Sequence, residues 1–268
     1  PVILYFNITG SGNSNVYGTK GKIPGAPADD WFEKQRAFPH DEIPAKKYAE
    51  ALKYVKQMPV LQNTQPLPWV LAGPTNIEGR ITSIAIHPTN PQIVYAATAN
   101  GGLWKSTNFC QSWASVFDNQ NTSSIGAITI DPSNGEVLYC GTGEANSLRS
   151  YYPGTGIYKS TNGGNTWNFS GLENTYSFGN IVINPQNTQI IYAAAVGSTR
   201  RKNTERGIYR STNGGVTWSQ SLYTADSVGA IDVAIDPTNP NKLFAAMWER
   251  QRREDYIKYG GPMSALYM

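Results

Sequence analysis

The sequence has few of the residues that mark common catalytic and metal-binding sites. His40 and His87 are its only histidines, and neither lies near a serine or cysteine in a phrase typical of a catalytic triad. No spacing of Cys, His, Asp and Glu matches a zinc or calcium motif, so we expect neither a metal nor a cofactor. No apolar run reaches the ~18 residues of a membrane-spanning helix, and we predict no membrane span. The net charge of +3 is too small an excess to indicate nucleic-acid binding.

The 268 residues are instead rich in aromatic and turn-forming types. There are 16 tyrosines, 7 tryptophans, 26 glycines and 17 prolines, whereas only 15% of the residues are charged. Aromatic residues favour strands, and glycine and proline favour tight turns. The composition therefore predicts a protein built mainly from β-strands.

An eight-residue phrase recurs along the chain about every 50 residues, a period typical of repeat architectures. Ser160–Trp167 reads Ser-Thr-Asn-Gly-Gly-Asn-Thr-Trp, and Ser211–Trp218 differs from it at one position. Ser106–Trp113 is a degenerate third copy, with Phe109 and Cys110 in place of the two glycines. We call these three segments the octets.

Each octet is predicted to form the turn of a β-hairpin. Asn-Gly-Gly tolerates positive φ, and the Ser, Thr and Asn side chains can bond to nearby backbone. The tryptophan begins the return strand and can pack between neighbouring repeats. The residues assigned to this structural role are Ser106, Asn108, Trp113, Ser160, Asn162, Gly164, Trp167, Ser211, Asn213, Gly215 and Trp218.

A second phrase, an apolar pair followed by a Pro-Asn turn, occurs four times and precedes a strand-like run each time. Its copies are Ala85–Pro91, Thr129–Asn134, Val182–Asn187 and Ala234–Pro240. One unit therefore reads strand A, Pro-Asn turn, strand B, variable loop, strand C, octet, strand D, which is the pattern of a β-propeller blade. A β-sandwich explains the period less well.

The fold prediction is thus an all-β propeller of four-stranded antiparallel blades. About four blades fit the sequence, the last of them incomplete, and we expect the chain to be part of a larger propeller. We divide it into an extended lead (1–28), a helical extension and linker (29–64) and the blades (65–268). The helical spacing after Pro44 predicts the main helix of the extension, and Pro59 is expected to end it.

Binding is predicted on the loops between strands B and C, which differ in length and sequence from blade to blade. Variable loops on a rigid scaffold commonly carry binding sites, and these loops are rich in arginine and tyrosine. The alternative is a solvated loop face whose acidic residues neutralise part of the charge. The candidate residues for contact with a protein or glycan are Arg149, Tyr151, Tyr152, Arg200, Arg201, Lys202, Arg206, Arg250, Arg252, Arg253 and Tyr256.

The two cysteines, Cys110 and Cys140, do not fix the cellular compartment. Either a disulfide between them or two unpaired thiols would fit the sequence, and we favour unpaired thiols.

The octet resembles the Asp-box, with asparagine at the usual aspartate position. From Trp69 onwards the chain is similar to Asp-box (BNR-type) propellers, which include sortilin-type receptors, xyloglucanases and secreted bacterial repeat proteins described as glycosyl hydrolases. This resemblance implies an extracellular or cell-surface bacterial protein exported by a type IX system. Because the chain begins at Pro1, we expect any signal peptide to have been removed already.

The same resemblance favours a protein that is not an enzyme. In xyloglucanases a catalytic aspartate lies in a Thr-Asp-x-Gly-Gly stretch, and Ala99 occupies that position in Thr98–Gly102. The Arg-Ile-Pro phrase of sialidases is incomplete at Arg80, and Glu144 and Asp232 have no identifiable partner carboxylate. We therefore expect a non-catalytic propeller that binds protein or glycan. The alternatives are a glycoside hydrolase with its catalytic carboxylates partly outside this segment, or a structural subunit of a bacterial surface complex.

Overall fold

The computed structural model describes residues 35–40, 43–59, 79–146, 152–252 and 257–268. Within these residues the strands form four antiparallel sheets of four strands each. The predicted all-β propeller with four-stranded blades is confirmed. No helix in the described ranges is long and apolar enough to cross a membrane.

The four sheets follow one another along the chain as blades 1 to 4. Blade 1 contains β1 (Ile81–Ile86), β2 (Val94–Thr98), β3 (Leu103–Ser106) and β4 (Ala114–Ser115). Blade 2 contains β5 (Ile125–Asp131), β6 (Asn134–Thr142), β7 (Ile157–Ser160) and β8 (Asn168–Phe169). Blade 3 contains β9 (Phe178–Ile183), β10 (Ile191–Ala195), β11 (Gly207–Ser211) and β12 (Ser219–Leu222). Blade 4 contains β13 (Val228–Ile235), β14 (Leu243–Arg252), β15 (Ile257–Tyr259) and β16 (Ala265–Tyr267).

Blade 4 differs from the other three in its strand pairing. In blades 1 to 3 the strands are adjacent in chain order, so the fourth strand covers the edge of the third. In blade 4 the long strand β14 pairs with β13 along one edge, and β15 and β16 both pair with its other edge. Strand β16 therefore takes the place of a third strand, and β15 extends the blade at the end where the variable loops lie.

The apolar cores lie between neighbouring blades. Tyr95 and Leu103 of blade 1 pack with Ile128 and Leu138 of blade 2 in the first core. Equivalent cores join blade 2 to blade 3 and blade 3 to blade 4. Each of these apolar cores thus joins two neighbouring blades, as expected for a repeat architecture.

The first strands of adjacent blades make the closest approach. A Cβ atom on Gly126 would lie 2.0 Å from the carbonyl oxygen of Phe178, and one on Gly179 would lie 1.8 Å from that of Ile231. Only glycine fits at such a backbone-to-backbone contact. Small residues of the second strands, such as Ala97 and Ala193, lie in the cores between blades.

The octets all have the same set of hydrogen bonds. In blade 2, Ser160 Oγ accepts the backbone N–H of Gly164 at 2.9 Å, and Asn162 Oδ1 accepts that of Thr166 at 2.9 Å. Asn162 Nδ2 donates to Thr166 Oγ1 at 2.8 Å. The octets of blades 1 and 3 repeat these bonds. The turn is therefore held by its own side chains.

A 13-residue helix lies between residues 44 and 58, before the blades. This helix, α1 (Ala45–Gln57), begins after Pro44 and confirms the helical N-terminal extension. Lys56 Nζ donates to the carbonyl of Asn119 at 2.5 Å, so the helix lies beside the connection between blades 1 and 2. Cys110 is exposed and Cys140 is buried, and both are free thiols.

Candidate active site

A small recess lies at the end of the propeller opposite the octets. Antiparallel pairing puts the Pro-Asn turns and the octets at one end of each blade and the loops after the second strands at the other. The recess has a volume of about 130 Å³. Among its lining residues are Arg80, Thr82, Gly126, Glu144, Asn146 and Gly179.

Glu144 is the only carboxylate that lines this recess within the described residues. It lies two residues after the end of strand β6, and its backbone N–H donates to Ser124 Oγ at 3.2 Å. Its side chain is buried, and Oε2 accepts a hydrogen bond from Arg80 Nη2 at 2.6 Å. The other oxygen, Oε1, is buried and has no hydrogen-bond partner among the described residues. Arg80 thus fixes one carboxylate oxygen, whereas the other still lacks a hydrogen-bond donor among the described residues.

Arg250 brings a second positive charge to Glu144 from the far side of the site. It lies near the end of strand β14 in blade 4, and only 2% of its surface is exposed. Its Nη1 donates a hydrogen bond to the carbonyl oxygen of Ala145, the residue after Glu144. The site therefore combines one charged residue from each of blades 1, 2 and 4.

The pKa of Glu144 is raised above its usual value. Burial is the main cause, because it disfavours the charged carboxylate. The positive charges of Arg80 and Arg250 and the hydrogen bond from Arg80 act in the opposite direction without cancelling it. The carboxyl group consequently keeps its proton to a higher pH than a free glutamate does.

Beside this site, the β14–β15 hairpin carries an aromatic surface. The rings of Trp248 and Tyr259 stack with their centroids 6.3 Å apart, and the Arg250 guanidinium lies 4.7 Å from the Trp248 ring. Arg252 Nη1 donates a hydrogen bond to the hydroxyl of Tyr259. Since 56% of Tyr259 is exposed, this stack offers a flat face to a ligand.

The structure places the predicted binding residues in different environments. Arg149, Tyr151, Arg253 and Tyr256 lie outside the described residues. Arg200 is partly exposed, and its backbone N–H donates to Ser198 Oγ. Tyr152 lines a separate recess of about 260 Å³ beside helix α1. The binding roles of all six of these residues stay predictions.

Two further predicted residues lie on the surface of blade 3. Arg201 donates to the hydroxyl of Tyr176 at 2.7 Å and stacks on its ring. Lys202 forms an ion pair with Asp226 at 3.3 Å. Neither residue lines the Glu144 recess, so binding through them would involve a different part of the loop end.

Arg206 differs from the expectation of an exposed binding residue, because it is completely buried. Its Nε donates to Asn203 Oδ1 at 2.5 Å, and its Nη2 donates to the carbonyl oxygens of Arg201 and Ser198. The side chain therefore holds its own loop in shape. Arg250 was also predicted to be an exposed binding residue, but it is buried at the Glu144 site.

Sequence reasoning missed the pairing of Arg80 with Glu144. Both residues were noticed singly, but they are 64 positions apart and belong to different blades. Ala99 also borders this site, since its backbone N–H donates to the Arg80 carbonyl at 3.0 Å. The signal that could have identified Arg80 is its charge just before a first strand, where blades 2 and 3 carry Ser124 and Ser177.

Comparison with known proteins relates this propeller to xyloglucanases. The chain is 30% identical to a xyloglucanase of Hypocrea jecorina (strain QM6a) over 164 residues, which cover 55% of this chain and 18% of that protein. It is 26% identical to xyloglucanase Xgh74A of Acetivibrio thermocellus over 200 residues, covering 62% of this chain and 23% of that protein. The chain thus spans about a fifth of the length of these relatives. No protein-family model matches it.

A solved structure gives the same relationship. The crystal structure of an ancestral GH74 enzyme superposes with a TM-score of 0.52 and 25% identity, over 66% of this chain and 23% of that one. The chain is therefore a β-propeller related to the GH74 xyloglucanases. The expectation that it is more likely not an enzyme is contradicted, because the relatives it matches are enzymes. That expectation rested mainly on Ala99, which stands where the xyloglucanases have a catalytic aspartate.

Proposed function

We propose that this chain forms part of a glycoside hydrolase that cleaves a polysaccharide of the xyloglucan class, with Glu144 as the proton donor. The observation that carries the proposal is the state of the Glu144 carboxyl group. It is buried in a residue that lines the recess, its pKa is raised, one oxygen is fixed by Arg80, and the other has no partner among the described residues.

This arrangement fits the general acid of glycoside hydrolysis. The acid must hold a proton near neutral pH and deliver it to the glycosidic oxygen as the bond breaks, so burial that raises its pKa is favourable. Arg80 fixes the orientation of the carboxyl group and leaves Oε1 as the oxygen that carries the proton. Arg250 limits the rise in the pKa, so that the group can still release its proton to the leaving oxygen and take up another from water afterwards.

A second carboxylate is needed to activate water or to attack the sugar. Ala99 cannot supply it, although the resemblance to xyloglucanases points to that position. We propose that the second carboxylate comes from outside the described residues, which is compatible with a chain that spans about a fifth of its curated relatives. The stack of Trp248 and Tyr259 would bind a sugar ring beside the cleaved bond.

Other finer assignments belong to the same proposal. We assign the octets to the Asp-box class on their sequence and their shared hydrogen bonds. A polymeric substrate implies action outside the cell, at the cell surface or in the medium. Export by a type IX system, and docking in a bacterial surface complex, stay predictions from the resemblance, and native co-purification with a stoichiometric partner would test the second.

The test is hydrolysis of xyloglucan, measured by the release of reducing ends. Full-length protein and its Glu144→Gln variant are compared, with Glu136→Gln as the control because Glu136 is exposed at the octet end. Loss of a general acid lowers the rate by about 10²- to 10⁴-fold. Unchanged kcat in Glu144→Gln, or no cleavage of any β-glucan by the wild type, would overturn the proposal.

A further inference from the structure

The turn between β1 and β2 has a histidine where the equivalent turns of the other blades have aspartate or asparagine. His87 is followed by Pro88, just as Asp131, Asn184 and Asp236 are followed by proline. In blades 3 and 4 the side-chain oxygen at this position accepts the backbone N–H groups two and three residues further on, at 2.9 to 3.2 Å. A side-chain acceptor at this position therefore holds the turn in shape.

In blade 1 a ring nitrogen of His87 takes the place of that oxygen. Its Nδ1 accepts the backbone N–H of Asn90 at 3.1 Å and that of Thr89 at 3.3 Å, and the Thr89 hydroxyl lies 3.4 Å away. Because a backbone N–H can only donate, Nδ1 must be unprotonated, and the neutral ring must carry its proton on Nε2. Histidine can replace the usual acceptor in only one of its two charge states.

The same ring packs against the equivalent turn of blade 2. A Cβ atom on Gly135 would overlap the Nε2, Cε1 and Cδ2 atoms of His87, so the imidazole lies directly over the backbone of this glycine. His87 is half-buried. The ring therefore holds its own turn through Nδ1 and contacts the neighbouring blade through its opposite edge.

The charged groups around the ring come from blades 1 and 2. The blade 1 turn itself contains no other titratable group. On the blade 2 hairpin, Asp131 is buried, and its Oδ1 accepts the N–H and the hydroxyl of Ser133 at 2.8 and 2.7 Å. The Glu136 carboxylate lies beside Gly163, where Lys105 Nζ of blade 1 also lies. Neither carboxylate is thus placed by a hydrogen bond to pair with a charged imidazole.

We propose that His87 makes the blade 1 turn, and with it the contact to blade 2, sensitive to acid. Histidine gains its charge between about pH 8 and pH 5, and protonation puts a hydrogen on Nδ1. The ring then points a donor at two backbone N–H groups, which lose their acceptor. Aspartate and asparagine keep an acceptor over this range, so the loosening is expected in blade 1 alone. The inference does not depend on the proposed hydrolase activity.

The test compares the wild-type protein with His87→Asn, which keeps an acceptor of the kind that blade 3 has at Asn184. Hydrogen exchange of the Thr89 and Asn90 amides is measured at pH 8 and at pH 5. The ratio of the wild-type rate to the variant rate removes the intrinsic effect of pH on exchange. His40→Asn, at the other histidine of the chain, is the matched control, because His40 is exposed.

At pH 8 the wild type and His87→Asn should exchange at similar rates. At pH 5 both amides should exchange at least about fivefold faster in the wild type, the effect of one ordinary hydrogen bond. The fall in Tm from pH 8 to pH 5 should also be about 2 °C larger in the wild type. His40→Asn should behave as the wild type does in both measurements.

Gly135→Ala tests the contact between the blades, because its Cβ would displace the ring. The Thr89 and Asn90 amides should then exchange rapidly at both pH values. Equal rate ratios at pH 8 and pH 5 would overturn the proposal, as would slow exchange at pH 8 in Gly135→Ala. Slower exchange in the wild type than in His87→Asn at pH 5 would also overturn it, since the charged ring would then be held by a carboxylate.

Discussion

The octets at one end of the blades repeat the same contacts, whereas the loops at the other end each make different ones. Ser160 and Ser211 hold their turns through bonds of the same length, 2.9 Å. At the loop end, one loop closes around Arg206, another positions Glu144, and a third forms the Trp248–Tyr259 stack. The repeated octet contacts hold the blades in the same shape, whereas the differing loops at the other end allow a charged site that occurs in one place.

The largest effect that would test this contrast is expected at the loop end. Replacing Arg80 with Met leaves Glu144 buried without the partner that lowers its pKa. The pKa should rise, and since a general acid works in its protonated form, the fall in kcat/KM at alkaline pH should move to higher pH. We also expect a loss of about 1–3 kcal/mol in the free energy of unfolding.

The pH profile of xyloglucan hydrolysis and urea unfolding measure these two effects. Lys242→Met, an exposed cation at the octet end, is the control and should change neither. An unshifted alkaline limb in Arg80→Met would mean that Glu144 is not the group that titrates.

At the octet end we expect changes in stability without changes in activity. Asn162→Ala removes the side-chain oxygen and amide that bond to Thr166, at an expected cost of about 1–3 kcal/mol. Asn108→Ala should cost less, because Trp113 of that octet is 39% exposed while Trp167 is 7% exposed. Urea unfolding compares the two variants. A larger loss of unfolding free energy in Asn108→Ala than in Asn162→Ala would contradict the link between burial of the octet tryptophan and stability.

We predict that the protein loses stability in alkaline solution because of Tyr95 and Tyr139, whose hydroxyls donate to the carbonyl oxygens of Gly163 and Gly214. Burial, with smaller contributions from Glu136 and Asp131, raises the pKa of Tyr95 and Tyr139 to about 12. Because a raised pKa favours the neutral phenol in the folded state, their contribution is complete below about pH 10 and is lost as the pH rises towards 12.

Unfolding measured from pH 9 to pH 12 should show this decline. Tyr139→Phe, which cannot ionise, should flatten part of it, whereas Tyr54→Phe on helix α1 should not. A decline of the same size in wild type and Tyr139→Phe would contradict the assignment.

The smallest effect is expected for the exposed charges at the loop end. Lys202 and Asp226 form an ion pair at 3.3 Å, but their side chains are 64% and 43% exposed. Exposed pairs contribute about 0–1 kcal/mol, so Lys202→Ala should barely alter Tm. A loss of polysaccharide binding in this variant, measured by affinity electrophoresis, would instead place Lys202 in the substrate-binding surface.

The scaffold could be predicted from sequence because its determinants are local. The octet places serine, asparagine and tryptophan within eight residues, and its internal side-chain bonds join residues two or four positions apart. Such signals survive in a single sequence and indicate the blades directly.

The charged site could not be predicted in the same way, because it depends on how the blades are arranged around one another. Arg80 and Glu144 are 64 residues apart, and the contact from Arg250 to Ala145 spans 105. The position of Arg206 was misjudged for a related reason: a basic residue in a loop is usually solvated, but here three acceptors within the loop surround it.

The degenerate octet of blade 1 has a consequence for how such blades are recognised. Phe109 and Cys110 adopt φ values of 55° and 64°, the conformation that glycine takes in the other two octets. A side chain in this region costs roughly 1–2 kcal/mol per residue. The turn nevertheless keeps its shape, because Ser106 and Asn108 bind its backbone as their counterparts do. The octet of blade 1 therefore tolerates other residues at its two glycine positions, and a search that weights serine, asparagine and tryptophan over glycine would recover diverged blades that a Gly-Gly pattern overlooks.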